Sequence, residues 1–266
     1  MKIIIIYFSG TGNTKLVSKT LSEHLILLGN DVSISSIEKF DFKRSGDYDC
    51  IGFGFPVYAW QAPKFYRELL EKKMPSLTDK AAFVFNTRAI SSYMSNYYVA
   101  EILRKKGFIV FDCDNFTTPP NDWMIFFKKD NFMVKTKVLF ANDVFENIKT
   151  FANRISDQLN HDYPIKHLHF KLDIRAYIAS KCFNYPGMLL FNMVCKKWSV
   201  LKDKCTRCRI CVDNCPSHNI TIDKNSSYPI FSNNCVYCFR CINKCPEEAI
   251  QLTRFSKDKY RYNLNI

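Results

Sequence analysis

Residues 205–216 read CTRCRICVDNCP, and residues 235–246 read CVYCFRCINKCP. Both runs have the form Cys-x-x-Cys-x-x-Cys-x-x-x-Cys-Pro, and together they use eight of the twelve cysteines in the chain. This spacing is typical of bacterial chains that hold two [4Fe-4S] clusters, in which the fourth cysteine of each run binds the cluster of the other run. Thiolate is a soft ligand that suits iron–sulfur chemistry. The spacing therefore predicts that the protein transfers electrons.

The position of proline in each run indicates how the ligands are shared. Three closely spaced cysteines wrap around one cluster, and the proline after the last cysteine turns the backbone away. We therefore predict two crossed ligand sets: Cys205, Cys208, Cys211 and Cys245 for the first cluster, and Cys235, Cys238, Cys241 and Cys215 for the second. A pair of zinc sites is the alternative, because Cys-x-x-Cys pairs also bind zinc.

The repeat extends beyond the cysteines. A shift of thirty residues also superposes Pro216 on Pro246, Ile220 on Ile250 and Ile222 on Leu252. Such self-similarity predicts two copies of one half-domain related by a pseudo-twofold axis. Over residues 200–255 the chain resembles the bacterial two-cluster ferredoxins, and this resemblance implies a small α+β domain.

The charge of the chain is unevenly distributed. The net charge is +13, and residues 164–266 contribute 17 Lys and Arg against 7 Asp and Glu. A basic half can attract nucleic acid, anionic lipid or an acidic protein. For a redox module an acidic redox protein is the most economical partner, because charge steering speeds brief encounters. No nucleic acid is expected, and a merely solvated basic face is the alternative.

The remaining cysteines and the apolar segments indicate a cellular compartment. Iron–sulfur clusters and four further cysteines, Cys50, Cys113, Cys182 and Cys195, favour a reducing interior. The N-terminal apolar run is too short for a secretory signal. Residues 182–195 are too few for a bilayer helix and contain Pro186-Gly187. We expect a cytoplasmic protein without a transmembrane segment.

The N-terminal region alternates apolar strands with amphipathic helices, which predicts a parallel sheet covered on both faces. The predicted strands are Lys2–Phe8, Asp31–Ile37, Asp49–Phe55, Lys80–Asn86 and Phe108–Asp112, and the predicted helices are Asn13–Leu28, Pro63–Lys73, Ser95–Lys106 and Asn142–Leu159, the last capped by Asn142. This pattern fits an α/β class with a doubly wound five-stranded sheet of order 2-1-3-4-5. The predicted domains are 1–160, a basic helical connector 161–199, the ferredoxin-like domain 200–255 and a tail 256–266. For the connector, a surface amphipathic anchor is the alternative.

A glycine loop lies between the first predicted strand and helix. It reads Ser9-Gly10-Thr11-Gly12-Asn13-Thr14, and its backbone N–H groups and hydroxyls can surround a phosphate at a helix N-terminus. It lacks the lysine of a nucleoside triphosphate loop and the dinucleotide fingerprint. The loop resembles the phosphate loop of flavodoxins, a resemblance that covers residues 1–160 and implies a bound FMN. Simple turn chemistry is the alternative.

The flavodoxin resemblance implies two further loops around the flavin. After the third strand, Pro56, Tyr58 and Trp60 are candidates, with Trp60 favoured for stacking on the ring and core packing as the alternative. After the fourth strand, the candidates are Asn86, Thr87, Arg88 and Tyr93. This loop lacks the Thr-x-Gly common in the family. Arg88 can place positive charge beside the ring, or point to solvent.

The combination of domains resembles the flavodoxin–ferredoxin fusion proteins of anaerobes. This resemblance implies electron transfer between FMN and two [4Fe-4S] clusters, with a soluble redox partner. One alternative is an FMN-dependent reductase of a small substrate, and another is a non-redox iron–sulfur protein that binds nucleic acid. No catalytic residue is predicted, because no histidine has a recognised metal or triad spacing.

Overall fold

The computed structural model describes residues 1–58, 60–89, 91–92, 94–120, 123–132, 134, 143–161, 164–170, 198–253 and 256–262. The described residues form two compact units. The first contains residues 1–9, 13–58, 60–89, 91–92, 94–118, 143–161 and 164–170, and the second contains residues 10–12, 119–120, 123–132, 134, 198–253 and 256–262.

A five-stranded parallel sheet forms the centre of the first unit. Its strands are β1 (Lys2–Tyr7), β2 (Asp31–Ser36), β3 (Cys50–Pro56), β4 (Lys80–Arg88) and β5 (Phe108–Thr117), in the order β2-β1-β3-β4-β5. β3 is buried along its whole length, and β1 is buried after its first residue. Continuous apolar strands of this kind are stable only when helices cover both faces of the sheet. The predicted fold class and strand order are confirmed.

In the described residues of the first unit, the helices beside the sheet are α1 (Asn13–Leu27), α2 (Lys64–Lys73), α3 (Ser95–Lys105) and α4 (Val144–Asn160). α1 and α4 share one core with the sheet, in which Leu21 of α1 and Ile148 of α4 join Phe85 of β4. The ring of Tyr66 on α2 contacts Phe55 of β3, with ring centroids 5.5 Å apart. Short 3-10 helices occupy Phe42–Asp47 and Trp123–Phe126.

Several boundaries differ from the sequence prediction. β4 continues to Arg88 and β5 to Thr117, because the two strands stay paired as far as Arg88 opposite Thr117. Asn86, Thr87 and Arg88 are therefore strand residues and not loop residues. α4 begins at Val144 with Asp143 in the N-cap position, so the cap predicted at Asn142 is wrong. Asn142 itself lies outside the described residues.

The second unit is built from short repeated elements: β6 (Trp198–Val200), α5 (Ile210–Asp213), β7 (Ile220–Ile222), β8 (Pro229–Phe231), α6 (Arg240–Lys244) and β9 (Ile250–Leu252). β6 pairs with β9 and β7 pairs with β8, both antiparallel. α5 and α6 begin thirty residues apart, as do β7 and β9, which is the offset found in the sequence. Ile220 and Ile250 from the two copies lie in one core with Phe239.

The predicted connector and tail are described only in part. Residues 164–170 contain no helix, and there the Leu168 N–H donates to Val110 O on β5 at 2.8 Å. Residues 171–197, which make up most of the predicted helical connector and of its alternative, a surface amphipathic anchor, lie outside the described residues. Tyr262 from the tail is buried, and its N–H donates to Asn243 Oδ1 at 2.8 Å. Within the described part of the chain, no helix is long and apolar enough to span a bilayer.

Candidate functional site

In the second unit, the paired strands connect the two cysteine runs. β7 follows Cys215 and pairs with β8, which precedes Cys235. β9 follows Cys245 and pairs with β6, which precedes Cys205. The strand that follows each cysteine run therefore pairs with the strand that precedes the other run.

Two cavities collect the eight cysteines of the runs. The cysteines that line the first are Cys205, Cys208, Cys211 and Cys245. The cysteines that line the second are Cys215, Cys235, Cys238 and Cys241. The structure therefore brings together the same two crossed sets that the sequence predicts. We call these cavities 1 and 2.

The loops between the cysteines repeat an unusual backbone conformation. Arg207 and Arg209 have φ angles of 59° and 65°, and Tyr237 and Phe239, thirty residues later, have φ angles of 51° and 55°. Left-handed backbone is uncommon for residues other than glycine and carries a conformational cost. The same left-handed conformation occurs at matched positions with different side chains. The Cys-x-x-Cys spacing, and not the side chain, therefore determines the backbone conformation of these loops.

Backbone N–H groups point at three of the cysteine sulfurs. The Asn219 N–H donates to Cys215 Sγ and the Ala249 N–H donates to Cys245 Sγ, both at 3.2 Å. Near the start of the second run, the Tyr237 N–H donates to Cys235 Sγ at 3.4 Å. Hydrogen bonds of this kind stabilise negative charge on sulfur and are among the factors that set cluster potentials. These residues fit an iron–sulfur cluster.

Burial raises the pKa of several thiols that line the two cavities when no metal is bound. It raises the pKa of Cys211 to about 11 and the pKa of Cys238 to about 12, and it also raises the pKa of Cys235. These thiols are therefore protonated at neutral pH, and binding to iron must release their protons. In the described ranges no group of three or more His, Cys, Asp or Glu side chains converges on a point suited to a single metal ion.

Trp198 is a cavity residue that the sequence analysis missed. It lies on β6 but lines cavity 2, where its ring stacks on Phe231 with centroids 5.6 Å apart. Its Nε1 is buried and has no hydrogen-bond partner of normal geometry. Burial dominates the raised pKa of Cys235, while the nearby indole N–H of Trp198 acts in the opposite direction. Nothing in the local sequence marks Trp198, because only the crossed strand pairing brings it to this cavity.

The glycine loop Ser9–Thr14 follows β1 and runs into α1, which begins at Asn13. Gly12 has a φ angle of 115°, a conformation that only glycine adopts readily. Thr14 Oγ1 lies 2.8 Å from Thr87 Oγ1, and Asn13 Nδ2 donates to Thr118 Oγ1 at 3.3 Å. These contacts tie the start of α1 to the ends of β4 and β5. The N-terminus of a helix is a favourable place for an anion.

The segment after β3 forms a tight turn. Tyr58 and Gln61 exchange two backbone hydrogen bonds of 2.8 and 3.1 Å, and Trp60 between them has a φ angle of 65°. A left-handed aromatic residue is unusual and marks a position worth testing for function. The Val57 N–H donates to Thr87 O at 2.9 Å, which holds the turn beside the end of β4. Of the other flavin candidates, Pro56 ends β3, and Tyr93 lies outside the described residues.

A buried polar network surrounds the end of β4. Asn86 Nδ2 donates to Asn96 Oδ1 at 2.8 Å and to Asn115 Oδ1 at 2.6 Å. Ser92 Oγ accepts from Arg88 Nη1 at 3.0 Å and donates to Asn115 Oδ1 at 2.7 Å. Asn86 Oδ1 and Arg88 Nε are buried and have no hydrogen-bond partner, and burial lowers the pKa of Arg88. Asn86 and Arg88 are flavin candidates in the sequence, whereas their partners Ser92, Asn96 and Asn115 carry no local signal.

Comparison with protein families matches both units. Residues 4–115 match the model of the flavodoxin domain, and residues 204–249 match the model of the 4Fe-4S dicluster domain. The N-terminal part of the chain therefore matches a flavodoxin domain, and the C-terminal part matches a 4Fe-4S dicluster domain. The two matches support a role in electron transfer and are consistent with the predicted fusion.

Three solved flavodoxin structures resemble the flavodoxin domain. A flavodoxin from the domain Archaea is 16% identical, with 60% of this chain and 100% of that chain covered and a TM-score of 0.47. Flavodoxin 1 from Bacillus cereus is 17% identical, with 60% and 100% covered and a TM-score of 0.45. The flavodoxin of Megasphaera elsdenii is 21% identical, with 42% and 84% covered and a TM-score of 0.40. No curated protein sequence matches the chain.

The candidate flavin residues of the flavodoxin domain follow the strands at one edge of the sheet. The glycine loop follows β1, the Trp60 turn follows β3, and the polar network surrounds the end of β4. Because parallel strands end at the same edge, three separate stretches of sequence meet there. In an open sheet of this order, β1 and β3 flank the switch point at which ligands bind.

Proposed function

We propose that this chain binds one FMN and two [4Fe-4S] clusters, and that it exchanges electrons with a separate redox protein in the cytoplasm. The observation that carries the proposal is the division of eight cysteines into two cavities of four. Each cavity takes three cysteines from one run and one from the other. Four thiolates around an open volume suit a cluster of four irons, each of which needs one protein ligand.

For the clusters, the proposed ligands are the four cysteines of each cavity. The backbone N–H groups of Asn219 and Ala249 donate to the sulfurs that complete the two sets, Cys215 and Cys245. Each cluster supplies a centre that takes up one electron at a time. The surrounding apolar residues, among them Ile220 and Ile250, limit the access of water to these centres.

For FMN, the proposed phosphate site is the glycine loop Ser9–Thr14 at the start of α1. The proposed ring contacts are Trp60 as the stacking residue, with Asn86 and Arg88 as partners for the polar edge of the ring. Asn86 Oδ1 and Arg88 Nε support this assignment, because buried polar atoms without a partner are costly unless a ligand satisfies them. When bound, FMN accepts or donates one or two electrons, so a carrier that also holds one-electron clusters can divide an electron pair.

Cofactor analysis of protein purified without oxygen tests this proposal. We expect about eight irons, about eight acid-labile sulfides and one FMN per chain, with the absorbance of both flavin and clusters. Zinc in place of iron and sulfide would show that the cavities are zinc sites. Protein with clusters but no flavin, after expression with ample riboflavin, would remove the FMN half of the proposal. Transfer of electrons to a small substrate without any protein acceptor would favour a reductase.

A further inference from the structure

The two cysteine loops of the dicluster domain have the same backbone but opposite exposure. Thr206, Arg207, Cys208 and Arg209 of the first loop are all exposed. At the matched positions of the second loop, Cys238 is 8% exposed and Phe239 is 2% exposed, while Val236 and Tyr237 are partly buried. The φ angles at the matched positions agree within about 10°. The difference between the loops therefore lies in the side chains and their surroundings.

Exposure matters because electron transfer between proteins weakens steeply with distance. Cys208 is the exposed thiol among the described cysteines, and it lines cavity 1. A partner that touches the first loop comes within contact distance of a cluster ligand. At the second loop, the equivalent thiol of Cys238 is buried. The Cys208 loop is therefore the more exposed of the two cysteine loops.

Two arginines flank the exposed cysteine, and neighbouring side chains hold each of them in place. The guanidinium of Arg207 lies 4.6 Å from the ring centroid of Tyr228, and its Nη2 donates to Tyr228 Oη at 3.1 Å. Arg209 Nη2 lies 3.9 Å from Asp213 Oδ1, and both side chains are more than half exposed. Lys202 adds a third cation, with its Nζ 5.5 Å from the Tyr228 ring centroid.

Two acidic side chains lie near this loop: Asp213, which is 3.9 Å from Arg209, and Glu247. Glu247 is the acidic residue that lines cavity 1, against Arg207 and Arg209. The charged residue that lines cavity 2 is Arg240, and it is directed inward, where its Nη1 donates to Asn214 O at 3.1 Å. The exposed rim at Cys208 therefore carries three cations, Arg207, Arg209 and Lys202, near two carboxylates. At cavity 2 the guanidinium of Arg240 is instead bound to the backbone of the fold.

We propose that the Cys208 loop is the port at which this chain exchanges single electrons with an acidic redox protein. This inference rests on the proposed function, because it requires a cluster in cavity 1. Arg207 and Arg209 meet carboxylates of the partner, and the cluster held in part by Cys208 passes one electron to the one-electron centre of the partner. The cluster is oxidised by one electron, the partner is reduced by one electron, and no proton needs to move.

Stopped-flow kinetics with a defined acidic acceptor test the port. The holoprotein is reduced without oxygen, freed of excess reductant and mixed with the oxidised soluble domain of cytochrome b5, an acidic haem protein. Each haem takes one electron, and its absorbance gives the second-order rate constant. For the native chain this rate constant should fall as salt is added, because the Debye length shrinks from about 30 Å at 0.01 M to about 8 Å at 0.15 M ionic strength.

Charge variants at the loop should change the rate in both directions. Arg207→Glu/Arg209→Glu should slow reduction of the acidic acceptor by at least about tenfold at low ionic strength. Glu247→Gln should accelerate it. With basic mitochondrial cytochrome c as the acceptor, the order of the variants should reverse. A charge-reversal variant that reacts with cytochrome b5 as fast as the native chain would overturn the inference.

The matched control carries the same change of net charge elsewhere. Lys72→Glu/Lys73→Glu alters two exposed residues at the C-terminal end of α2, at the sheet edge opposite the candidate FMN loops. Its rate should stay within about twofold of the native rate, and an equal slowing would show that only overall charge matters. Iron content and visible spectra show whether each variant keeps its clusters. If Arg207→Glu/Arg209→Glu loses them, Arg207→Gln is measured in its place and should also slow the reduction of cytochrome b5.

The two proposals fail in different ways. If the native chain holds no clusters or does not reduce cytochrome b5, the proposed function fails. If the native chain reduces the acceptor but the variants at positions 207, 209 and 247 leave the rate unchanged, only the port is wrong.

Discussion

Pairs of cysteine substitutions distinguish crossed ligation from ligation within each run. Cys205 and Cys245 line cavity 1, whereas Cys215 lines cavity 2. In Cys205→Ala/Cys245→Ala, cavity 1 keeps two of its four thiols and cavity 2 keeps all four. In Cys205→Ala/Cys215→Ala, each cavity keeps three. We therefore expect one complete cluster in the first variant and none in the second.

The expected magnitudes follow from the number of thiols in each cavity. The native chain should contain about eight irons, and Cys205→Ala/Cys245→Ala should contain about four. That variant should give the electron paramagnetic resonance signal of one reduced [4Fe-4S] cluster. Cys205→Ala/Cys215→Ala should lack this signal, because no set of four thiolates remains. Cys50→Ala serves as the control, because Cys50 lies in the core of the sheet, and its iron content should stay at about eight.

The opposite pattern would refute the crossed assignment. If each run bound its own cluster, Cys205→Ala/Cys215→Ala would leave the second run intact and retain about four irons. Cys205→Ala/Cys245→Ala would then damage both clusters. If Cys205→Ala/Cys215→Ala keeps one complete cluster, the four cysteines that line each cavity are not the ligands of one cluster.

Four further predictions address the flavin, the second cluster and the sheet. Trp60→Ala should weaken FMN binding by about tenfold in a fluorescence titration of the apoprotein, since a stacked aromatic ring contributes about 1 kcal/mol beyond its buried area; unchanged affinity would transfer the stacking role to Tyr58 or Tyr93. Trp198→Phe removes the buried indole N–H near Cys235, which we expect to donate to the second cluster once that cluster is bound. The potential of the second cluster should therefore fall by about 40 mV, the equivalent of one hydrogen bond of about 1 kcal/mol, in a redox titration with the first cluster as the internal control. Gly54→Ala places a Cβ 2.4 Å from the ring of Phe85 and should lower the free energy of unfolding by about 1–3 kcal/mol in urea, whereas Gly46→Ala, with no atom within 4 Å of the new Cβ, should change it little. Burial raises the pKa of Cys113 from 9.0 to about 11, so the stability that its neutral thiol contributes is complete below pH 9 and is lost as the pH rises towards 11. Cys113→Ala should therefore reduce the loss of unfolding free energy at alkaline pH by up to about 2 kcal/mol. An unchanged dependence of the unfolding free energy on pH would show that Cys113 does not titrate in this range.

Much of the fold was predictable because its signals are local. The apolar run Lys2–Phe8, the glycines that end α1 and α3, and the alternation of strands and helices each depend on a few neighbouring residues. Gly107 shows why such a signal is strong. Its φ angle is 83°, and a Cβ there would lie 2.1 Å from Leu77 O, so no other residue fits. The ends of β4 and β5 were placed too early, because pairing between strands and not local composition decides where a strand stops.

The candidate sites were predictable only where their residues have a fixed spacing. The cysteine sets and the glycine loop were assigned from spacing alone. Trp198 was not, because it reaches cavity 2 only through the pairing of β6 with β9. Ser92, Asn96 and Asn115 were also missed, since each is an ordinary polar residue until the fold brings it beside Asn86.

By itself, the amino-acid sequence predicted the two sets of candidate cysteines, the order of the strands and the duplication in the dicluster half, because all three depend on short-range spacing and period. Only the tertiary structure decided which cysteine loop is exposed and which is buried. Arg209 and Phe239 occupy equivalent positions with nearly the same backbone, yet one is exposed and the other is buried. Exposure depends on residues distant in the chain, such as Trp198 against Phe239, and no local pattern encodes that packing.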